Sequence, residues 1–81
     1  MSYLFNVTKL ATRLHDVRIR PELYEIGGYG EGCLCIEQRS DGLWETYTGQ
    51  KGEKDDLHVW EIEDDACFWL FGRLAWTEWD A

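Results

Sequence analysis

Three cysteines and two histidines are the residues of this 81-residue sequence best suited to hold a metal ion. Cys33 and Cys35 are separated by one residue, whereas Cys67, His15 and His58 stand apart. Structural zinc sites are usually built from close pairs such as C-x2-C, in which a turn lets both thiolates converge. The pair here is C-x-C within an alternating apolar run. We therefore expect no metal and no other cofactor, and interpret the cysteines as buried, reduced thiols that pack as small apolar groups.

Catalysis by a thiolate or by paired carboxylates is the second kind of chemistry to consider. A reactive thiolate needs a neighbouring base or cation, and neither histidine lies in a recognisable local signature. Carboxylate pairs such as Asp55 with Asp56, or Glu61 with Glu63, are easy to find in so acidic a sequence. A catalytic pair needs contrasting environments and a pocket, for which a domain of this size leaves little interior. We expect no enzymatic activity.

The glycine-rich segment Gly27–Gly32 is a third candidate, because such segments can cradle phosphates. Its sequence, GGYGEG, departs from the GxGxxG pattern and runs between two predicted strands. The helix N-terminus that supplies backbone donors in phosphate loops is missing. We interpret the segment as a turn.

The charge of the chain points to a macromolecular partner. Sixteen acidic and eight basic side chains give a net charge of -8 at pH 7, and residues 21–81 carry fifteen of the acids but only four of the bases. Bare phosphate backbones and anionic membranes would be repelled, because nucleic-acid affinity comes mostly from Lys and Arg. A basic protein partner would be attracted.

Aromatic residues interleave with these acids. Five Trp, four Tyr and three Phe exceed what a small core normally buries, and Trp and Tyr are enriched at the centres of protein interfaces. Trp44 and Trp60 are the best candidates for the core. The remaining rings lie among acids that together resemble a surface for a basic, partly apolar partner, namely Glu45, Glu53, Asp55, Asp56, Glu61, Glu63, Asp64 and Asp65.

The first half of the chain is predicted to form a helix and two strands. An apolar stripe over residues 4–16 predicts an amphipathic helix whose inner face is Leu4, Val7, Leu10, Ala11 and Leu14. Pro21 ends any continuation. Residues 22–26 and 33–38 then read as strands, with Cys33 and Cys35 on one face of the second.

The second half is predicted to form two more strands and a helix. Asp41-Gly42 marks a hairpin into a strand over residues 43–48, and a polar turn over 49–56 precedes a strand over 57–62. A helix then begins at Glu63, and its inner face is Ala66, Cys67, Leu70, Phe71 and Leu74. The predicted fold is one α+β domain over residues 1–81, an antiparallel four-stranded meander sheet flanked by an N-terminal and a C-terminal helix.

The location of the protein is predicted from what the sequence lacks. The N-terminal residues show neither a basic start nor a continuous apolar run of the secretory type. The longest apolar stretch, Ala66–Phe71, is far shorter than the roughly 20 residues that cross a bilayer. We expect a cytoplasmic protein without membrane contact.

Several short patterns occur in a familiar order. They are I-x-P-x-x-Y at Ile19–Tyr24, a strand with Cys35, W-x-x-Y at Trp44–Tyr47, a glycine turn at Gly52, and E-x-x-A-C-x-x-L at Glu63–Leu70. In this order the chain resembles, over residues 7–74, small immunity proteins of bacterial polymorphic toxin systems, which include contact-dependent inhibition. Members often have Arg-Gly where this chain has Lys51-Gly52. The resemblance implies a cytosolic protein that binds and inactivates a cognate toxin, often a nuclease.

Charge, aromatic content and resemblance together give the functional hypothesis. An acidic, aromatic face would neutralise a basic toxin without binding nucleic acid directly. A phage-encoded acidic inhibitor that mimics DNA and blocks a host defence nuclease is the alternative, and homodimers through surplus tryptophans stay open. The predicted partner-binding residues cluster around the third turn and the start of the last helix: Glu53, Asp55, Asp56, Trp60, Glu61, Glu63 and Asp64.

Overall fold

A computed structural model describes residues 5–79 of the chain. The fold consists of two α-helices and a four-stranded sheet. One helix precedes the strands and the other follows them in the chain, and the strands lie in sequence order, β1-β2-β3-β4. A single 3-10 turn, Pro21–Leu23, leads into the first strand. The elements are α1 (Val7–Asp16), β1 (Tyr24–Ile26), β2 (Leu34–Gln38), β3 (Trp44–Gln50), β4 (Glu53–Trp60) and α2 (Glu63–Trp79).

Helix α1 forms where the apolar stripe predicts it. Asn6 is the N-cap, and its side-chain oxygen accepts a hydrogen bond of 2.9 Å from a backbone N–H in the first turn. Leu10 and Leu14 are fully buried. Ala11, predicted to face the core, is exposed, because it lies at the margin of the stripe. Leu4 lies outside the described residues.

The sheet is mixed, so the prediction of an entirely antiparallel meander is wrong. Strand β1 pairs with β2 in parallel, from Tyr24 opposite Leu34 to Ile26 opposite Ile36, whereas the other two pairings are antiparallel. The glycine-rich segment between β1 and β2 is therefore no tight turn. It must carry the chain back along the sheet so that both strands run in the same direction, and we call residues 27–33 the strap.

Contacts with β3 hold the strap in place. The Gly32 N–H donates to the Gly49 carbonyl at 2.7 Å, and the Gly49 N–H donates to the Cys33 carbonyl at 3.0 Å. The Tyr29 ring stacks on the Tyr47 ring with 6.1 Å between centroids. Parallel strands usually need crossovers of about a dozen residues or more. Because glycines let two backbones approach closely, this short connection suffices.

Glu31 anchors the strap to the turn between β3 and β4. Its carboxylate accepts hydrogen bonds from the backbone N–H groups of Lys51, at 2.6 Å, and Gly52, at 3.1 Å, and from the Tyr29 hydroxyl at 2.7 Å. These bonds hold the pKa of Glu31 below its ordinary value, with the Tyr29 hydrogen bond as the largest cause. One acidic side chain thus ties the first crossover to the last hairpin.

The third turn is much shorter than predicted. Lys51 and Gly52 have φ angles of 55° and 77°, as in a two-residue type I′ hairpin turn, so β4 begins at Glu53 and not after residue 56. A bulge follows, in which Asp56 and Leu57 lie between the Thr48–Asp55 and Thr46–His58 pairs. Asp56 adopts a left-handed conformation there, with φ of 56°.

Both helices contribute to a core on one face of the sheet. The predicted inner face of α2 is confirmed by the burial of Ala66, Cys67, Leu70 and Leu74, with Phe71 half-buried beside them. Trp44 and Trp60, the predicted core tryptophans, are half-buried and pack against this core. Neither helix is long and apolar enough to cross a membrane, within the part of the chain that the structure describes.

The opposite face of the sheet, here called the open face, has a small core of its own. Cys33, Cys35 and Tyr47 form it, apart from the helices. All three cysteines are buried and unbonded, with Cys67 in the helix-side core. The predicted packing role of the cysteines is confirmed, and the strap takes the place of a helix over this face.

The close approach of Gly30 and Gly49 gives a stability prediction. A Cβ added at Gly49 would overlap the Gly30 carbonyl oxygen, whereas a Cβ added at Gly72, in the exposed part of α2, meets nothing. We expect Gly49→Ala to lower the free energy of unfolding by about 1–3 kcal/mol, since overpacking forces the backbone to shift. The matched change Gly72→Ala should raise it by about 1 kcal/mol. Urea unfolding measures both, and equal effects would contradict this account of the strap.

Candidate protein-binding surface

The seven predicted binding residues lie in β4, in the connection after it and at the start of α2. Strand β4 is at the edge of the sheet, because it pairs only with β3. Every residue from Glu53 to Val59 is exposed. Glu61 follows in the connection to α2, and Glu63 and Asp64 open that helix. The structure therefore places four of the seven residues on the edge strand and three in the segment after it, and it assigns them different roles.

Asp56 is paired within the protein. One carboxylate oxygen lies 3.6 Å from Arg73 Nη1 on α2, and the other lies 3.4 Å from His58 Nε2. The His58 ring in turn lies 5.2 Å from the Trp69 ring. These contacts connect the bulge to α2, so the Asp56 carboxylate has partners within the protein.

Trp60 and Glu63 also have internal partners. The Trp60 indole N–H donates to the Thr46 hydroxyl at 2.8 Å, which holds the ring on the helix side of the sheet. The Glu63 carboxylate accepts a hydrogen bond of 2.9 Å from the Val7 backbone N–H, at the start of α1. This bond fastens the start of one helix to the start of the other. Both side chains support the fold.

Glu53, Asp55 and Glu61 differ from these residues. All three are exposed, and none of their carboxylates has a hydrogen bond or ion pair with another residue of the range 5–79. Asp65 shares this state at the start of α2. Asp64 is half-buried, and its Oδ1 atom is buried without a hydrogen-bond partner among the described residues. The free carboxylates therefore concentrate along β4 and just beyond it.

Exposed apolar side chains lie between these acids. Leu57 is 45% exposed and Val59 is 47% exposed. Val59 pairs with Glu45, whose carboxylate belongs to the open face. We define the β4 edge surface as Glu53, Asp55, Leu57, Val59 and Glu61. It combines unpaired negative charge with aliphatic groups on one strand.

A partly exposed charge cluster on the open face borders this surface. Glu37 and Glu45 lie directly opposite each other on β2 and β3. Lys54 Nζ bridges them, 2.7 Å from Glu45 Oε1 and 3.0 Å from Glu37 Oε2, while the Tyr47 hydroxyl donates to Glu37 at 2.7 Å. Like charges in this position destabilise a sheet unless a cation separates them.

Glu45 is the clearest correction to the predicted acidic surface. It was expected among the partner-facing acids, yet it is only 7% exposed and is bound by Lys54. Strand periodicity could have found this cluster, since Cys33, Cys35 and Glu37 alternate onto one face, as do Glu45 and Tyr47. The bridging lysine depends on a cross-strand register that the predicted long turn concealed.

The pKa shifts of the cluster are those of groups that form an ion-pair network. The Tyr47 hydrogen bond, with help from Lys54, holds the pKa of Glu37 below its ordinary value. Hydrogen bonds to Glu45 and Glu37 raise the pKa of Lys54, and burial followed by the Glu37 bond raises the pKa of Tyr47. Glu37 and Lys54 are therefore charged at neutral pH, which does not suit proton transfer.

Neither Cys33 nor Cys67 is an activated nucleophile. Burial raises the pKa of Cys67 to about 12, helped by Glu63 and Asp64, and burial with the neighbouring Cys35 raises that of Cys33 to about 11. Cys67 also lies on the other side of the sheet from the C-x-C pair. Within residues 5–79, no three His, Cys, Asp or Glu residues converge as metal ligands.

A groove lies between the two helices. Its volume is about 460 Å³, and Phe5, Phe68 and Phe71 supply its aromatic lining. Lys9 and Arg13 of α1 lie at its rim. None of the seven predicted binding residues lines it, so it belongs to a different part of the surface.

Comparisons with known protein families, curated proteins and solved structures give no match to this chain.

The bridging position of Lys54 gives a prediction about pH. Replacing it (Lys54→Met) leaves Glu37 and Glu45 opposed, and we expect a loss of about 1–2 kcal/mol at pH 7, moderated by the exposure of the lysine. Because the pKa of folded Glu37 lies below its ordinary 4.5, its contribution is present above that pH and disappears as the pH falls through the depressed value.

The difference between the wild type and Lys54→Met should therefore shrink as the pH falls below about 4.5, since protonation of either carboxyl removes the repulsion. Urea unfolding at neutral and acidic pH measures this change. Lys51→Met removes the same charge at the turn, away from the cluster, and should show no such pH dependence. A loss that stays constant with pH would contradict the bridging role.

Proposed function

We propose that this chain is an immunity protein that binds and neutralises a basic protein toxin, of which a nuclease is the favoured kind, in the cytoplasm of the cell that makes both. The observation that carries the proposal is the state of the β4 edge surface. Its carboxylates are exposed and unpaired, although most described acids elsewhere in the chain have a partner. Unpaired charge of one sign attracts a partner of the opposite sign.

A nuclease toxin is a suitable partner for physical reasons. Its active cleft must be positive to hold phosphate, so an acidic inhibitor complements it without resembling its substrate chemically. Long-range attraction would also accelerate association, which matters for a protein that must intercept a toxin before it acts. The aliphatic Leu57 and Val59 add apolar area that a partner can bury.

The internal contacts refine the predicted binding set. Asp56, Trp60 and Glu63 keep the strand and helices in position, and we assign them a supporting role. Direct contact falls to Glu53, Asp55 and Glu61, with Asp64 and Asp65 beyond them. The alternative, a phage-encoded DNA mimic, would use the same carboxylates, and the neighbouring genes separate the two, since an immunity gene follows a large secreted toxin gene.

Charge reversal of the free acids tests the proposed function. The triple change Glu53→Lys, Asp55→Lys and Glu61→Lys should weaken binding to the C-terminal domain of the secreted protein encoded directly upstream by about a hundredfold at low salt. Protection of cells expressing that domain should fall in parallel. Binding by the wild type should weaken from about 0.05 M to about 0.3 M salt, and the variant should lose this dependence.

The matched control reverses Asp16, Glu22 and Glu25 to lysine, which changes the net charge equally but on the N-terminal part of the fold. This variant should bind and protect nearly as well as the wild type. Equal losses in both triple variants would show that total charge matters and not the edge. Unchanged binding in the β4 variant would contradict the assignment of this surface.

A further inference from the structure

The backbone of β4 has hydrogen-bonding groups that the sheet does not use. The N–H and the carbonyl of Gly49 both bond to the strap, on the side of β3 away from β4. Backbone groups of successive residues in an antiparallel strand point alternately to the two sides. Glu45 and Tyr47 therefore bond toward β2, whereas Trp44, Thr46 and Thr48 bond toward β4.

The outward groups of β4 follow from this register. Val59 lies opposite Glu45, and Lys54 lies opposite Gly49. Since these partners bond away from β4, the N–H and carbonyl groups of Val59 and Lys54 point to the free edge of the sheet. An edge of this kind can accept another strand by main-chain pairing.

We propose that the toxin neutralised by this protein adds an extended basic segment to the edge of β4, pairing with the backbone on either side of Val59. This inference rests on the proposed function. The chemistry of the edge identifies the segment: unpaired Asp55 and Glu61 lie at its two ends, and Leu57 and Val59 are exposed between them. A strand in which basic and aliphatic residues alternate supplies positive charge for the carboxylates and apolar groups for the aliphatic side chains.

The bulge limits where the added strand lies. Asp56 interrupts regular pairing with its left-handed backbone, and its ion pair with Arg73 stabilises that conformation. The regular part of the edge runs from the bulge to Trp60. The added strand is therefore short, and its register is set by the Val59 N–H.

Charge argues against a second copy of this chain as the added strand. Two antiparallel β4 edges would place Asp55 and Glu61 of one copy beside those of the other, without an intervening cation. Like charges opposite each other destabilise strand pairing, and each copy carries a net charge of -8. A basic partner removes this penalty, so the edge selects against self-association.

Proline substitution separates backbone pairing from side-chain attraction. Val59→Pro removes the outward N–H without removing a hydrogen bond to β3, a position where proline is tolerated in edge strands. We expect it to weaken binding to the upstream-encoded toxin domain at least about tenfold more than Val59→Ala, which loses the side chain but keeps the N–H. Circular dichroism and urea unfolding check that both variants are folded.

A peptide experiment does not depend on the variants. The probe is a capped peptide of alternating lysine and valine, titrated into the ¹⁵N-labelled protein. We expect amide shift changes centred on Val59 and its neighbours in β4. The same peptide with every backbone nitrogen methylated keeps its charge but has no backbone N–H left to donate from either edge, and should cause little change.

The outcomes distinguish this inference from the function on which it rests. If Val59→Pro and Val59→Ala bind the toxin domain equally, or the methylated peptide acts like the unmethylated one, strand addition is wrong while charge-based neutralisation stands. Shifts that map away from β4, or no shifts at millimolar peptide, also overturn strand addition. If the acidic triple variant binds normally as well, the proposed function loses this surface. Dimers of the free protein that Val59→Pro dissociates would identify a second copy as the occupant.

Discussion

Two helices that share a core on one face of a sheet leave the other face to be protected by different means. In this protein the strap covers one end of the open face, through Tyr29 on Tyr47 and the close approach of Gly30 to Gly49. The network around Lys54 occupies the neighbouring region of that face. By crossing the open face, the strap also returns the chain to the point from which β2 can run parallel to β1. The edge of the sheet at β4 is exposed, since nothing in the described chain continues the sheet beyond this strand.

The acidic residues fall into two groups, those that have a partner within the protein and those that do not. Glu31 caps a turn, Glu37 and Glu45 hold Lys54, Asp56 holds Arg73, and Glu63 joins the two helix starts. The acids of the β4 edge surface have no such partner among the described residues. A net charge of -8 is therefore a poor guide to function by itself, whereas the position of the unpaired charge is informative.

Local patterns predicted α1, the β2–β3 hairpin and the start and inner face of α2, because the decisive residues are close in sequence. The strap and the start of β4 could not be predicted in this way. An exposed edge strand has no apolar alternation to reveal it, so the polar run after Gly49 resembled a loop. The roles of Asp56 and Glu63 depend on Arg73 and on Val7, the latter 56 residues away. Of the seven predicted binding residues, only Glu53, Asp55 and Glu61 are exposed and without a side-chain partner among the described residues.

An exposed edge is normally a liability, and natural proteins protect such edges with charge and bulges. Strand β4 has both, but its charges are all of one sign from Asp55 to Glu61 and its bulge is fixed from behind by Arg73. Mixed charges would discourage every incoming strand, whereas acids alone discourage copies of this chain and favour a basic segment. In the proposed mode of binding, protection from aggregation and selection of a partner have the same physical cause. This explains how Val59 can keep an open backbone position in a protein whose own copies repel one another.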